Sequence, residues 1–432
     1  MDSSTRPPSH LLKALGPGLL FAGAAIGVSH LVQSTRAGAI YGLGLIGVIL
    51  LANLTKYPGL SFGSRYSNAT GLSLLESYRK QGVWTLVIFG LLTLGTMFTV
   101  AGAVTLVTAG IFNEVVLVPL TGFGNLKVSA ALLFGVVALC LATGGFSWLD
   151  KLIKVLLGTM AVLTFTTTLL VLPQLDFSSF SLLLPAKATE VAAIGFVVGL
   201  AGWMPAPMDI SVWNSLWALA KRNQTGHTPT PRETRFDFNL GYFLCVVLAL
   251  CFVILGTVVM HQNQITPDPK SITFVGQILN LFTVTLGSWS YPLVGTAALA
   301  VMFSTTLTVL DAFPRVLVVL FDRFRTPEVP GDAVRDFSKE LQFWIAYGIL
   351  VAGAFALLQF FILQLTALVD LATTLSFVTT PFLAWFNHRA IHSPDVSEAY
   401  RPSKAMSVFS LSCVAVLSVF AGFYIWSRFF WQ

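Results

Sequence analysis

Charged side chains are scarce in this chain: Asp, Glu, Lys and Arg make up 10% of its 432 residues. Water-soluble domains carry roughly 25%, so the composition excludes an ordinary soluble globular protein. Cysteine is scarce as well. The four present (Cys140, Cys245, Cys251, Cys413) lie inside apolar runs without CxxC spacing. That pattern argues against a disulfide scaffold or a thiolate metal site and leaves small buried hydrophobes. Basic residues never form a block, so the net charge of +6 does not point to nucleic acid. No nucleophile–base or zinc-type motif is present, which argues against an enzyme. The first ten residues are polar, with Pro7-Pro8, and do not read as a cleavable signal peptide. No loop is long enough to house a second domain.

What fills the chain is apolar: 55% of residues are hydrophobic, with 35 Phe and 10 Trp. A membrane-spanning helix needs about 20 mostly apolar residues. That ruler predicts an all-α polytopic membrane protein with eleven transmembrane helices. They fall at 12–40, 43–64, 83–112, 128–145, 148–173, 190–220, 237–261, 288–313, 341–361, 364–388 and 404–428. Residues 70–80 read as a short interfacial helix, and 271–286 as a surface helix or part of an external loop. Loop charges give the direction. With a cytoplasmic N-terminus, twenty of the Lys and Arg residues fall inside, Lys56, Lys151 and Lys154 among them. Lys127, Lys187, Lys270 and Arg428 fall outside, and Arg36 lies within the first span. This asymmetry places the N-terminus in the cytoplasm and the C-terminus outside. The expectation is a monomeric multi-pass protein of the plasma (inner) membrane, partnered by lipid and not by nucleic acid.

One stretch, Trp203 to Ser211, interrupts the sixth span. Pro205 and Pro207 remove backbone donors and clash with the preceding turn, so a helix cannot pass unbroken. Asp209 follows at once. A carboxylate at membrane depth is costly and marks a functional site by default. Broken backbone at that depth is tolerated where it is buried in protein or lines a cavity. The plainer alternative is a proline kink with a hydrogen-bonded aspartate. The first span has its own interruption: Gly16-Pro17-Gly18 opens it, and Gly23, Gly27, Ser29 and His30 cluster halfway along. Two weak helices five apart are the pattern of an inverted repeat. Residues 1–173 would hold helices 1–5, residues 190–390 helices 6–10, and residues 404–428 one extra helix, all in a single transporter domain spanning 1–432.

Gly16-Pro17-Gly18-Leu19-Leu20, Arg36-Ala37-Gly38-Ala39, Leu50-Leu51-Ala52-Asn53-Leu54 and Met204-Pro205 resemble motifs of the Nramp-type divalent metal transporters. The resemblance implies a LeuT-like 5+5 fold of the amino acid-polyamine-cation superfamily, with helices 1 and 6 broken at the midplane. It implies secondary active import of a divalent metal ion by alternating access, with H⁺ as the coupling ion and no cofactor. It also implies where the metal sits, and here the chain departs from the pattern. Against the family's Asp-Pro-Gly-Asn the chain reads Gly27-Val28-Ser29-His30. The ligand aspartate is thus Gly27, and the ligand asparagine position is His30. Met204 matches the family's methionine, while its helix 6 histidine falls at Ala206. The family's helix 3 acids have no counterpart between Leu94 and Thr105, where Thr96, Met97, Thr99 and Thr105 supply the polarity.

The expected substrate site is therefore Gly27, Ser29, His30, Met204, Ala206, Asp209 and Asp370. Gly27 and Ala206 would offer unwound carbonyls, and Asp370 lies near the family's helix 10 glutamine. Imidazole, carboxylate and thioether suit Mn²⁺ or Fe²⁺. With Met204 turned away, an oxygen-rich set suits Mg²⁺. Gln33, Met208, Asn214, Ser304 and Thr305 would support the site, and Arg36 and Asp370 would pair as an external gate. Asp311 is expected at the inner end of the eighth span, beside Arg315. Two alternatives stay open. One is a transporter of the same fold for an anion or small organic solute; the other is a non-transporting sensor.

Overall fold

The computed structural model describes residues 16–326 and 336–430, apart from the side chains of 144–154 and a few others. Arg6, Lys13 and Arg335, which the loop-charge count also places inside, and the side chains of Lys151, Lys154 and Lys187 lie outside the described residues. Every named element is a helix. We number them α1 (Pro17–Ala25), α2 (Ser29–Tyr41), α3 (Ile46–Thr70), α4 (Leu74–Gln81), α5 (Val83–Thr121), α6 (Leu126–Val171), α7 (Val191–Trp203), α8 (Ile210–Thr225), α9 (Pro231–His261), α10 (Ser271–Leu286), α11 (Tyr291–Arg325), α12 (Leu341–Phe361), α13 (Leu365–Ile391) and α14 (Lys404–Phe430). Local chemistry explains the boundaries. Pro17 and Pro231 sit in the first turns of α1 and α9, where a missing N–H costs nothing. Thr230 and Glu233 close a reciprocal capping box on α9.

Among the described residues, eight helices are long and apolar enough to cross a membrane, or nine when α1 and α2 count as one span bent by 46°. The expected count of eleven is not reached by this measure, for two physical reasons. The sixth span is split into α7 and α8, each short. The second, α3, buries Asn53, Thr55, Lys56, Ser61, Ser64 and Arg65 against other protein and so need not be apolar throughout. The spans expected at 128–145 and 148–173 belong to one helical run, α6, because Gly144-Gly145 brings no proline or cap to end it. Its two ends, Leu126–Thr143 and Leu157–Gln174, each qualify as a span. The helix expected at 70–80 exists as α4, but Leu74, Leu75, Glu76, Ser77 and Tyr78 are buried. It is tied to the bundle by an ion pair between Glu76 and Arg323 of α11.

Packing sets the two broken helices inside a scaffold. α7 lies along α13, α8 along α3, and α1 along α9. The α1–α9 seam brings backbones together: a Cβ on Gly18 would sit 2.0 Å from the Asp237 carbonyl, and one on Gly241 2.0 Å from the Gly18 carbonyl. Both positions require glycine. At this seam the Asp237 carboxylate accepts from the backbone N–H groups of Gly16 (3.0 Å) and Gly18 (2.6 Å), covering orphan donors at the start of α1.

Candidate functional site

Both interruptions read from the sequence are real breaks. α1 ends at Ala25 and α2 begins at Ser29; α7 ends at Trp203 and α8 begins at Ile210. Each break strands helix-terminal carbonyls and N–H groups, which in a membrane must find partners within the protein. The two breaks are satisfied by different chemistry.

At the first break the partners are neutral. Thr305 of α11 points its hydroxyl at the carbonyls of Gly23 (3.1 Å) and Ile26 (3.3 Å), and at its own-helix Val301 carbonyl (3.2 Å). Ser29 Oγ donates to the Ala25 carbonyl at 2.6 Å. A Cβ on Gly27 would lie 2.6 Å from Thr305 Oγ1, so the position that the resemblance equates with a ligand aspartate has no room for one. His30 is fully buried and turned toward α9: Nε2 donates to the Cys245 carbonyl at 2.9 Å, and Nδ1 lies 2.7 Å from Ser29 Oγ. Both ring nitrogens are thus engaged by the protein.

At the second break the partners are charged. The ammonium of Lys56, from the middle of α3, is fully buried and donates to the carbonyls of Gly202 (2.6 Å) and Ala206 (3.1 Å). It caps the negative end of half-helix α7, where a cation is favoured. Asp209 sits at the opposite terminus, immediately before α8, where a carboxylate is favoured. Asp209 is 4% exposed, is 3.4 Å from Thr96 Oγ1 of α5, and interacts electrostatically with Lys56. Counting Lys56 with the inside loop cations is therefore a correction to make. The available signal was its position thirteen residues into a predicted span, where any ionisable side chain marks a site.

The remaining candidates divide. Met204 and Met208 are fully buried; Ser34 Oγ approaches the Met204 sulfur at 3.9 Å, and Met208 packs against Gly59. Asn214 and Ser304 are buried with no hydrogen-bond partner for their side-chain polar atoms among the described residues. Asp370 is engaged by Arg36 in a two-pronged pair, Nη1–Oδ1 2.6 Å and Nη2–Oδ2 3.0 Å. Gln33 bridges the two, accepting from Arg36 at 2.9 Å and donating to Asp370 at 3.2 Å, and the guanidinium lies 4.8 Å above the Phe196 ring. Asp311 does lie beside Arg315, paired with it at 2.7 Å, but α11 continues to Arg325 and Asp311 is fully buried. Among the described residues, no three His, Cys, Asp or Glu side chains come together as a metal cage. Any cation here would rest on Asp209, backbone carbonyls and neutral donors. Beside the breaks lies a cavity of about 20 Å³ lined by Ala24, Val28, Ser29, Val100, Pro207 and Thr305, among others.

Comparison with known proteins places this architecture. An uncharacterized protein of Pasteurella multocida is 34% identical over 383 residues, covering 87% of this chain and 84% of that one. The divalent metal cation transporter MntH of Levilactobacillus brevis is 22% identical over 298 residues, 68% of this chain and 61% of that one. Among solved structures, the manganese transporter of Eremococcus coleocola superposes with a TM-score of 0.63 at 14% identity, covering 99% of this chain and 90% of that one. MhsT in complex with L-phenylalanine gives 0.63 at 14%, covering 99% of both chains. These likenesses establish the LeuT-like fold. The model of the family described as natural resistance-associated macrophage protein-like matches residues 18–427, and the chain is accordingly a member of the Nramp family of multi-pass membrane transporters.

Proposed function

We propose that this protein is a secondary active transporter that imports a divalent metal ion, Mn²⁺ or Fe²⁺ or else Mg²⁺, across the plasma (inner) membrane by alternating access. The observation that carries this reading is the helix 6 break, where the protein itself seats a cation. Lys56 binds the Gly202 and Ala206 carbonyls and interacts electrostatically with the Asp209 carboxylate. A locus built to hold an ammonium has the polarity a metal ion needs, and the relatives named for manganese and divalent metal share the fold. Rocking of α1, α2, α7 and α8 against the scaffold would expose the locus to each side in turn. Arg36–Asp370 supports an external closure, and the Asp237 clamp on Gly16 and Gly18 an internal one. Symport with H⁺ is assigned to Asp209, with the N-terminus cytoplasmic, the C-terminus outside and the monomer as the working unit.

One observation favours a second reading. The cavity between the breaks is walled mainly by Ala24, Val28, Val100 and Pro207, with Ser29 and Thr305 as polar groups. That lining offers a bare ion few oxygens, so an uncharged solute is the second reading, and the cavity of about 20 Å³ would have to widen during the transport cycle to admit one. Purified protein in liposomes separates the two. Influx of Mn²⁺, Mg²⁺ and Ca²⁺ is measured for the wild type and for Asp209→Ala, with a pH-gradient dye reporting coupling. The expected result is metal influx that falls at least tenfold in Asp209→Ala. Wild-type vesicles that pass none of the three ions would sink the metal reading in favour of the solute.

A further inference from the structure

The break in helix 6 already contains a cation, and that cation is covalently part of the protein. Lys56 departs from its own helix to reach across to the Gly202 and Ala206 carbonyls, 146 and 150 residues away in sequence. Its side chain is fully buried, and its one-sided seat on the end of α7 is complemented by Asp209 at the start of α8. The two half-helix ends are thus each covered by an intrinsic charge of opposite sign. Together Lys56 and Asp209 carry no net charge, whereas a divalent ion is held by negative charge and free oxygens. The Ala206 carbonyl, which the expected substrate site includes, is thus already taken by the Lys56 ammonium.

From this we infer that Lys56 is a tethered competitor of the transported cation: its ammonium fills the carbonyl half of the substrate site, and the metal binds only by displacing it. The inference rests on reading the helix 6 break as the substrate site. It adds a specificity-determining residue that the motif resemblance does not include. It also gives a physical role to the chain's departure from the family pattern. With no carboxylate at Gly27, the emptied site would expose carbonyl oxygens to one carboxylate alone, and the ammonium keeps them satisfied until a substrate arrives. A purely structural staple would make the opposite prediction, since its removal could only weaken the site.

The test is Mn²⁺ binding to the full-length purified chain by titration calorimetry, for wild type, Lys56→Met, Lys56→Gln and Lys56→Arg. Lys56→Met removes charge and donors; Lys56→Gln removes the charge but keeps an N–H₂ group for the carbonyls. The expected result is Mn²⁺ affinity at least tenfold above wild type in the neutral variants that purify monodisperse, with Lys56→Arg within threefold of wild type. Neutral variants that bind Mn²⁺ no better than wild type overturn the inference. So does loss of folded protein in both neutral variants while Lys56→Arg stays folded, which would make Lys56 a staple. Tighter binding in the neutral variants with none in wild type upholds the inference and removes metal import as the wild-type function. Absence of Mn²⁺ binding in all four proteins overturns the inference together with the site reading beneath it.

Discussion

The two helix breaks pose one physical problem and receive two answers. Each leaves carbonyls without intrahelical partners in a region where water cannot supply them. At the helix 1 break, hydroxyls of Thr305 and Ser29 cover the carbonyls of Gly23, Ile26 and Ala25, and Gly27 packs against Thr305. At the helix 6 break, an ammonium covers the carbonyls of Gly202 and Ala206, and a carboxylate faces the other half-helix. The first break is neutral and filled. The second is charged, with the Lys56 ammonium on one half-helix end and the Asp209 carboxylate at the other. The difference teaches that a glycine at position 27 goes with a closed break. The space beside it is occupied by Thr305, which also serves the Gly23 and Ile26 carbonyls, while the buried charges lie at the helix 6 break.

The strongest way to break this comparison is to restore the acid. Gly27→Asp forces a side chain into a position where even Cβ lies 2.6 Å from Thr305 Oγ1, and buries a charge without a partner. Uncompensated buried charge costs about 3–5 kcal/mol, so the variant should lose that much stability, read as a lowered midpoint of thermal unfolding in detergent. Combining it with Thr305→Gly removes the collision and should recover part of the loss. Added Mn²⁺ should then stabilise the double variant more than the wild type. A Gly27→Asp protein as stable as wild type would show that the helix 1 break is open and not filled.

A smaller effect sharpens the neutral side. Thr305→Val keeps shape and removes the hydroxyl, leaving the Gly23 and Ile26 carbonyls short of a donor. An unsatisfied buried acceptor costs about 1–3 kcal/mol. The expected loss is about 2 kcal/mol of stability, with Mn²⁺ affinity little changed because the charged locus lies on the other helix. A large drop in Mn²⁺ affinity with intact stability would instead place Thr305 in the cation site.

Most of the fold was legible because it follows from rules that act locally. Runs of about 20 apolar residues give spans, prolines break helices, and the Pro205–Pro207 and Gly23–His30 interruptions emerge where the chain predicts them. The Arg36–Asp370 contact was legible too, because two costly charges at similar depth have few other ways to be satisfied. What was not legible depends on side-chain direction across 100 residues or more. Nothing in Gly27-Val28-Ser29-His30 says that His30 faces Cys245 on α9 and not the break. Nothing in Leu54-Thr55-Lys56-Tyr57 says that the lysine turns inward to Gly202 and not outward to the cytoplasm. Loop-charge counting treats every lysine as solvated, and that assumption fails at Lys56, which is fully buried. Helix α3 was legible as a span at 43–64 even though its buried face is polar, because Leu50, Leu51 and Leu54 keep the other face apolar and exposed.

The smallest expected effect concerns how each half-helix is held to the scaffold at its broken end. At helix 6 the last residue of α7, Trp203, is 3% exposed and donates from Nε1 to Ser376 Oγ of α13 at 2.8 Å. At helix 1 the scaffold holds α1 at both ends, through the seam of Gly18 on Gly241 and Asp237 at its start and through the Thr305 hydroxyl on the Gly23 and Ile26 carbonyls at the break. Trp203→Phe removes the hydrogen bond and retains most of the ring, at a cost of about 1 kcal/mol. Ser376→Ala should cost a similar amount, and the double variant no more than either alone, because both remove the same bond. The cycle, measured by thermal unfolding, should return a coupling energy of about 1 kcal/mol. Additive losses would mean that the indole is held by packing alone, and that the charged seat of Lys56 is fixed by the backbone of the break itself.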